Sequence, residues 1–348
     1  MQAEMIPPRT LLLPGSAVFS AAARVRAWCY RQGLLRQQRL PGVVLSVGNL
    51  TVGGTGKTPM VLWLAEQLLA EGKRVGILTR GYRAVPVIEG EGDAARAVER
   101  SDEVQMLLGR LGDRVIFGVG ANRYGTGRVL VRRGVEWFLL DDGFQHLPLA
   151  RDADIVLIDG TDPFGGGHLL PAGRLREPQR ALGRADVVVI TRTEKAAEVE
   201  TVVRRYSPAP IFYAQTGLDG VFEINGTVAG PPAPNAREKR LFAFCAIGNP
   251  QAFFADLHRW GFSIAGRVSY RDHHPYSARD VAEIERRAAA AGAEGLITTE
   301  KDLFHLPRAQ FHALPVFFCR ISLRIAEEER LWGAILAAVE RRRRKPAR

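Results

Sequence analysis

This sequence is poor in the features that mark secreted, membrane-spanning or nucleic-acid-binding proteins. Its 348 residues include only three cysteines, Cys29, Cys245 and Cys319. They are far apart and match no metal-ligand spacing, which argues against a disulfide framework and suits a reducing compartment. The uncharged stretch Thr10 to Ala23 has 14 residues, broken by Pro14-Gly15, and falls short of the roughly 20 apolar residues that a helix needs to cross a bilayer. No small-residue cleavage site follows it, so a signal peptide is not expected either. Acidic charge is scarce at both ends. Residues 1–41 carry +5 and residues 341–348 carry +6, which is the whole net charge of +11. The 299 residues between them are neutral, so no basic face for nucleic acid is expected on the folded body. No internal repeat is present.

What the sequence does contain is organised around Val43-Val44-Leu45-Ser46-Val47-Gly48-Asn49-Leu50-Thr51-Val52-Gly53-Gly54-Thr55-Gly56-Lys57-Thr58, followed by Pro59 and the apolar run Met60 to Leu69. A β-favouring run, a glycine-rich turn and a Lys-Thr pair opening a helical pattern are the context of a phosphate-binding loop. Glycines let successive backbone N–H groups turn toward a polyphosphate, and the helix N-terminus adds the positive end of its dipole. Lys57 would then reach the β- and γ-phosphates, and the Thr58 hydroxyl would ligate Mg²⁺. The general motif has glycine where Thr51 stands, so the loop is a variant with glycines at 53, 54 and 56.

Downstream, Val75 to Leu78, Arg114 to Val119, Val135 to Leu140, Ile155 to Ile158 and Val187 to Ile190 are short apolar runs alternating with helical patterns. This is the rhythm of a parallel sheet covered on both faces, with ligands expected at the C-terminal ends of the strands. Phe138-Leu139-Leu140 closes in Asp141-Asp142, the acidic half of a phosphate-loop site, which holds Mg²⁺ directly or through water. The residues alone do not decide between the two carboxylates. Ile211 to Val228 is expected to form short strands joined by turns, and Pro231 to Asn235 a linker. A second α/β unit follows, with strands near Leu241–Ile247, Gly295–Thr298 and Pro315–Cys319. Its helices are expected near Gln251–Trp260 and Ala278–Ala291, and a last helix from Ala326 to Arg342 runs into the basic tail.

At this length two domains are expected. The expected division is an N-terminal membrane-associated helix at 1–40, a phosphate-loop domain at 41–210, a strand and turn linker at 211–236 and a C-terminal α/β domain with basic tail at 237–348. The fold class is thus α/β, a phosphate-loop (P-loop) NTPase-type parallel sheet domain with a second, smaller α/β domain. From Ser16 onward, Val18, Phe19, Ala22, Val25, Trp28 and Cys29 recur at helical spacing with arginines close behind. That pattern suits an amphipathic helix lying in a membrane interface.

Several motifs together resemble one family, tetraacyldisaccharide 4′-kinase, the lipid A 4′-kinase of Gram-negative bacteria. They are Ser46 to Pro59 with its substituted first glycine, Thr79-Arg80-Gly81-Tyr82, Ser101-Asp102-Glu103, Asp141 to His146 and Leu170-Pro171-Ala172-Gly173-Arg174-Leu175-Arg176-Glu177-Pro178. Gly248-Asn249-Pro250, Asp272-His273-His274 and Thr299-Glu300-Lys301-Asp302 follow in order. The resemblance implies transfer of the ATP γ-phosphoryl group to the 4′-hydroxyl of a tetraacylated glucosamine disaccharide 1-phosphate, with ATP and Mg²⁺ as cofactors. It implies Asp102 as catalytic base, with His273 its partner, and Lys57 on the phosphates. Asn49, Thr51, Val52, Gly53, Gly54, Thr55, Gly56, Lys57 and Thr58 would hold the nucleotide. Thr58, Asp141, Asp142 and Glu177 would hold the metal, and Arg123, Gln145 and Arg176 are candidates for phosphate or substrate contacts. On its residues alone Ser101-Asp102-Glu103 reads as a helix cap, and Val104 stands where the family commonly has proline. His146, His168 and His274 fit structural roles, and His258, His305 and His312 carry no motif.

The implied partners are a lipid A precursor and an anionic membrane surface, with no nucleic acid. The implied location is the cytoplasmic face of the inner membrane, held peripherally or monotopically through the N-terminal helix. Two other readings fit the loop: a membrane-recruited P-loop ATPase switch, and a P-loop kinase of a soluble small molecule. The soluble acceptor leaves the basic amphipathic N-terminus idle.

Overall fold

A computed structural model describes residues 9–80, 102–225, 228–306 and 311–344. Gly81-Tyr82, Ser101 and the tail from Lys345 lie outside the described residues. In chain order the elements are α1 (Arg9–Arg31), β1 (Val43–Asn49), α2 (Lys57–Ala70), β2 (Val75–Thr79), α3 (Asp102–Leu111), β3 (Ile116–Val119), α4 (Arg123–Arg132), β4 (Trp137–Asp141), β5 (Ala153–Asp159), β6 (Val187–Thr191) and α5 (Ala197–Tyr206). Then come β7 (Ile211–Asn225), β8 (Val228–Pro232), β9 (Arg240–Cys245), α6 (Pro250–Arg259), β10 (Ser263–Ser269), α7 (Ala278–Ala290), β11 (Gly295–Thr299), β12 (Val316–Ile325) and α8 (Glu328–Arg344). The chain forms two compact units, one of residues 1–100, 111–215 and 324–348 and one of residues 101–110 and 216–323.

In the first unit the strand order is β7-β6-β5-β1-β4-β2-β3, and the pairings between these strands are parallel. β1 is central because the chain leaves it for β2 and β3, returns to β4 on one side, and crosses to β5 on the other. That reversal puts the loop after β1 at the switch point where ligands bind in open parallel sheets. Every residue of β1, β5 and β6 is buried, as continuous apolar strands covered on both faces must be. The register Val47↔Asp141 sets the carboxylate ending β4 beside the C-terminal end of β1.

In the second unit the order is β10-β9-β11-β12-β7, with β8 antiparallel on β7. Phe242, Phe244, Leu296 and Val316 form one side of its core with Ile284 and Ala288 of α7. Leu241, Ala243, Ile297 and Phe317 form the other, with Phe253, Phe254 and Leu257 of α6.

Four expectations change. The residues from Ile211 form one 15-residue strand rather than short strands joined by turns. The proline-rich stretch is no linker, since β8 runs through Pro231-Pro232 as an edge strand, where proline's missing N–H is harmless. α8 was expected with the C-terminal domain but belongs to the first unit. It buries Leu331, Ile335, Ala338 and Val339 there, and Trp332 packs edge-on to Trp63 of α2 with ring centroids 6.2 Å apart. α3 makes the opposite exchange. Its Arg110 bonds the Glu300 carboxylate at 2.7 Å and the Ile321 carbonyl at 2.8 Å, and Glu103 pairs with Lys301 at 2.9 Å, so Asp102 travels with the second unit.

β1 approaches the segment after β4 so closely that only glycine fits at residue 48. A Cβ there would lie 2.5 Å from Phe144 Cβ and 2.7 Å from its amide nitrogen, while the Gly143 N–H donates to the Val47 carbonyl at 2.9 Å. Gly48→Ala should therefore destabilise the fold by about 1–3 kcal/mol through overpacking, read as a lower midpoint in denaturant unfolding. A midpoint equal to wild type would show that the strand and the segment can part freely.

Candidate active site

Among the described residues three non-glycine residues have positive φ: Asp142 at 48°, Arg192 at 64° and His273 at 58°. Such backbone conformations are costly for L-residues and persist where the surroundings enforce them, often at functional sites. Here they mark the acidic turn after β4, the end of β6 and the loop after β10.

The loop after β1 rises into α2 through Gly56, which is left-handed at φ 87° and gives the helix no side-chain cap. The first N–H groups of α2 are thus left for an anion. Lys57 Nζ lies 3.4 Å from Asn49 Oδ1 and 3.6 Å from Asp142 Oδ1. Thr58 is buried, as are Thr51 and Thr55. Asn49 Nδ2, Thr55 Oγ1 and Gln145 Oε1 are buried without a hydrogen-bond partner, a cluster of orphaned polar atoms that a bound polar ligand would satisfy. Gln145 itself donates to the Asn49 carbonyl at 3.0 Å.

The acidic turn faces this loop within the same unit. Asp142 accepts from Arg176 Nη1 at 2.6 and 2.8 Å. Burial raises the Asp142 pKa, but the charges of Lys57 and Arg176 outweigh it and leave the carboxyl below its ordinary range. Asp141 accepts from the Thr79 hydroxyl at 3.3 Å, and its carbonyl accepts from buried Arg123 at 3.0 Å. Burial lowers the Arg123 pKa, against the pull of Asp141 and Asp142. His146 is depressed to about 4 by burial and then by the surrounding arginines, which suits the structural role expected of it.

Glu177 is held by an arginine. Both of its oxygens accept from Arg184, at 2.7 and 2.9 Å, and Arg184 lies over the Phe144 ring, 4.3 Å from its centroid. Its carboxylate is therefore engaged by a guanidinium in this conformation.

Sequence reasoning missed three residues that fix the loop from behind. Arg192 donates to the Gly54 carbonyl at 2.8 Å and pairs with Asp159, and the Thr191 hydroxyl donates to the Thr55 carbonyl at 3.1 Å. The available signal was their position: polar residues at the C-terminal ends of β5, which pairs with β1, and of β6, the next strand out. The segment before Arg176 closes the other side, with the Val52 N–H donating to the Arg174 carbonyl at 2.8 Å.

Asp102 and His273 are brought together in the second unit. Asp102 opens α3 and is only 4% exposed, and its Oδ2 lies 3.2 Å from His273 Nδ1. His305 Nε2 lies 3.5 Å from the same oxygen. Burial raises the Asp102 pKa, but His273, His305 and Lys301 together hold it well below the ordinary carboxylate range. His273 is raised to about 9, chiefly by its hydrogen bond to Asp102. The ligand atoms of Asp102, His273 and His305 lie within 4.8 Å of one another, a spread that a metal ion would also accept. The Lys301 ammonium acts on the same carboxylate, a positive charge that would disfavour a metal ion there.

The fold and these clusters define a class: a phosphate-loop NTPase-type α/β protein with a paired carboxylate and imidazole on a second unit. The family model described as tetraacyldisaccharide-1-P 4′-kinase, LpxK, matches residues 8–340. A tetraacyldisaccharide 4′-kinase of Pelobacter propionicus is 38% identical over 334 residues, covering 94% of this chain and 91% of that protein. One of Geobacter metallireducens is 41% identical over 303 residues, covering 85% and 88%. The crystal structure of LpxK from Aquifex aeolicus in complex with ATP superposes with a TM-score of 0.70 at 30% identity, covering 95% of this chain and 99% of that one. The chain belongs to the tetraacyldisaccharide-1-P 4′-kinase family.

The raised pKa of His273 has a sign that can be tested. Its pairing stabilises the protonated ring, so the contribution is complete below its ordinary value of about 6.5 and disappears as pH rises through about 9. Proton NMR of the His273 ring should titrate near pH 9 in the wild-type protein and fall to about 6.5 in Asp102→Asn. A wild-type midpoint at or below the ordinary value would remove the pairing.

Proposed function

We propose that the protein is an ATP-dependent kinase that phosphorylates the 4′-hydroxyl of a tetraacylated glucosamine disaccharide 1-phosphate, a lipid A precursor. The observation that carries this reading is the family match over residues 8–340. The geometry supplies what the reaction needs. Asn49 to Thr58 cradle the polyphosphate, and Lys57, aimed by Asn49 and Asp142, neutralises charge on the transferred group. Arg123 and Arg176 are the guanidinium groups available to phosphate oxygens.

Mg²⁺ suits the oxygen donors of Thr58, Asp141 and Asp142, since it prefers carboxylate, hydroxyl and phosphate oxygens. These residues would hold it, with Glu177 kept back on Arg184. When bound, the ion neutralises charge on the β- and γ-phosphates.

Asp102 accepts the proton of the 4′-hydroxyl as its oxygen bonds to the γ-phosphorus. The bond from that phosphorus to the β-phosphate oxygen breaks, and its electron pair leaves on ADP. Phosphoryl transfer passes through a loose transition state in most analyses, so the hydroxyl proton needs an acceptor only as the bond forms. A carboxylate held ionised by His273 therefore suffices.

The N-terminal helix supports a lipid acceptor at the cytoplasmic face of the inner membrane. Among the described residues no helix is long and apolar enough to cross a membrane. On α1, Leu11, Val18 and Val25 repeat every seven residues and are 69%, 71% and 60% exposed, with Trp28 on the same side. The opposite side is fastened: the Ser16 hydroxyl donates to the Leu169 carbonyl at 2.9 Å and accepts from the Ala172 N–H at 3.0 Å. Pro14 and Gly15, expected to break the helix, lie inside it. A Cβ at Gly15 would meet the Pro171 ring in ordinary contact at 3.4 Å, so this turn of the helix lies against Pro171. α1 is thereby tied to the segment that carries Arg174 and Arg176.

ATP consumption measured in detergent with and without the tetraacylated disaccharide 1-phosphate tests the function. Turnover should depend on the lipid and place phosphate on the 4′-oxygen, and Lys57→Ala should lower kcat/KM by about 10³-fold or more. Lipid-independent turnover would favour an ATPase switch, and a loss under about tenfold would remove Lys57 from the phosphates. The membrane reading has its own test in liposome flotation. The wild-type protein should float with anionic vesicles at low salt and release at high salt, since each surface arginine contributes only about 1 kcal/mol. Replacing Leu11, Val18 and Val25 by serine should abolish flotation with ATP affinity unchanged; a variant that still floats would show that another surface is the anchor.

A further inference from the structure

We infer that His305, which carries no motif, is a positioning residue for the proposed base, a second imidazole that holds Asp102 beside His273. The inference rests on the reading of Asp102 as base and goes beyond it.

The backbone of His305 is fixed from two directions. It follows the single 3₁₀ turn Asp302–Phe304, its N–H donates to the Asp302 carbonyl at 2.9 Å, and its own carbonyl accepts from the Tyr276 N–H at 3.0 Å. Asp302 is in turn a fully buried node. Its carboxylate accepts from the Ala246 N–H, the Tyr276 hydroxyl and the Thr298 and Thr299 hydroxyls, at 2.5 to 3.0 Å. His273 is tied to the same node, because its N–H donates at 3.1 Å to the carbonyl of Ala246. The two imidazoles thus stand on one buried scaffold, edge to face with centroids 5.9 Å apart.

Both nitrogens address the same atom. His273 Nδ1 is 3.2 Å and His305 Nε2 is 3.5 Å from Asp102 Oδ2. Among the described residues His305 Nε2 is buried without a formed hydrogen bond, an arrangement that is costly unless the Asp102 oxygen 3.5 Å away closes on it. A carboxylate oxygen has two lone pairs and accepts both donors. A histidine that merely filled the core would place this nitrogen on a backbone carbonyl or in solvent. The other charges facing the cluster are Glu103 on α3, Asp272 beside His273 at 3.8 Å and Lys301, which pairs with Glu103. None of the three takes the place of an N–H donor on Oδ2.

Two donors on one oxygen hold the plane of the carboxylate, whereas one donor leaves it free to pivot. With Oδ2 held twice, Oδ1 stays aimed at the hydroxyl whose proton it receives. Loss of either histidine leaves one support, and loss of both leaves none.

The test uses the full-length protein with ATP and the tetraacylated disaccharide 1-phosphate. His305→Ala and His305→Phe, the second keeping a ring without a donor, should each lower kcat by about tenfold and leave the KM for ATP unchanged. His305→Gln, whose amide N–H reaches the same oxygen, should recover most of the rate. The double variant His273→Ala, His305→Phe should lose more than the product of the two single losses. If His305→Ala fails to fold, the Phe and Gln pair decides, with thermal midpoints measured for both. Phe and Gln variants of equal rate, single losses under twofold, or losses that simply multiply would overturn the inference. Asp102→Asn separates the levels: if it keeps activity, the base reading itself falls, whereas an inactive Asp102→Asn with neutral His305 variants sinks this inference alone.

Discussion

A polyphosphate site at the head of a helix must leave unpaired the backbone N–H groups that a cap would otherwise satisfy. In this protein that constraint governs the first unit. Gly56 gives α2 no side-chain cap, so the loop must be held by everything except its inner face. Apolar burial of Met60, Val61, Leu64, Ala65 and Leu68 anchors the helix, and the carbonyls of Gly54 and Thr55, turned away from the N–H face, are taken by Arg192 and Thr191. The left-handed backbone of Arg192 is part of the same solution, since its guanidinium reaches both Asp159 and the loop from the end of β6.

Three carboxylates, Asp102 and Asp302 buried and Asp142 partly so, show how the surroundings assign chemistry to a common group. All of them are pushed up by burial. Asp142, beside Lys57 and Arg176, is pulled below its ordinary range and stays anionic among cations. Asp102 is lowered by two imidazoles and an ammonium, which keeps it ionised. Asp302 has hydroxyl and amide donors but no cation at its oxygens, and its pKa is raised. It serves as a structural pin for the loops that carry His273 and His305. Neutral donors shape a buried carboxylate, and charged neighbours decide whether it remains an anion.

Much of the fold and half of the site were legible because their signals are local. Apolar runs of strand length, a glycine loop before Lys57-Thr58 and carboxylates just after Leu140 each sit within one short stretch, and the first unit is built of them. What escaped depends on long-range choices. The 15-residue β7 looked interrupted because Thr216, Gly217, Asp219 and Gly220 are turn formers in isolation, yet pairing with its neighbours overrides that preference. The allegiance of α3 and α8 is set by Arg110 on Glu300 and Trp332 on Trp63, contacts between residues more than 180 positions apart. The hold of Arg184, seven residues on, over both oxygens of Glu177 has no local signal in the sequence. His305 had no signal at all, since its meaning comes only from the oxygen it faces.

The charge at the two ends, nearly equal in the sequence, is engaged differently in the fold. Of the C-terminal arginines, Arg342 lies 2.9 Å from Asp186 and 3.7 Å from the buried Asp154, and Arg343 donates to the Pro41 carbonyl at 3.1 Å. Arg342 adds a second guanidinium to Asp154, which Arg151 already pairs, and pairs with the half-buried Asp186, so part of this basicity is spent internally. At the N-terminus Arg39 pairs with Asp152 and Arg26 donates to the Gln145 carbonyl, but both side chains remain at the surface, near a helix whose apolar stripe is exposed among the described residues. A net charge summed from sequence assigns both ends the same power to attract an anionic surface. On the proposed membrane reading that attraction belongs mainly to the end where positive charge and exposed apolar area coincide, the combination by which a helix lies in an interface without crossing it.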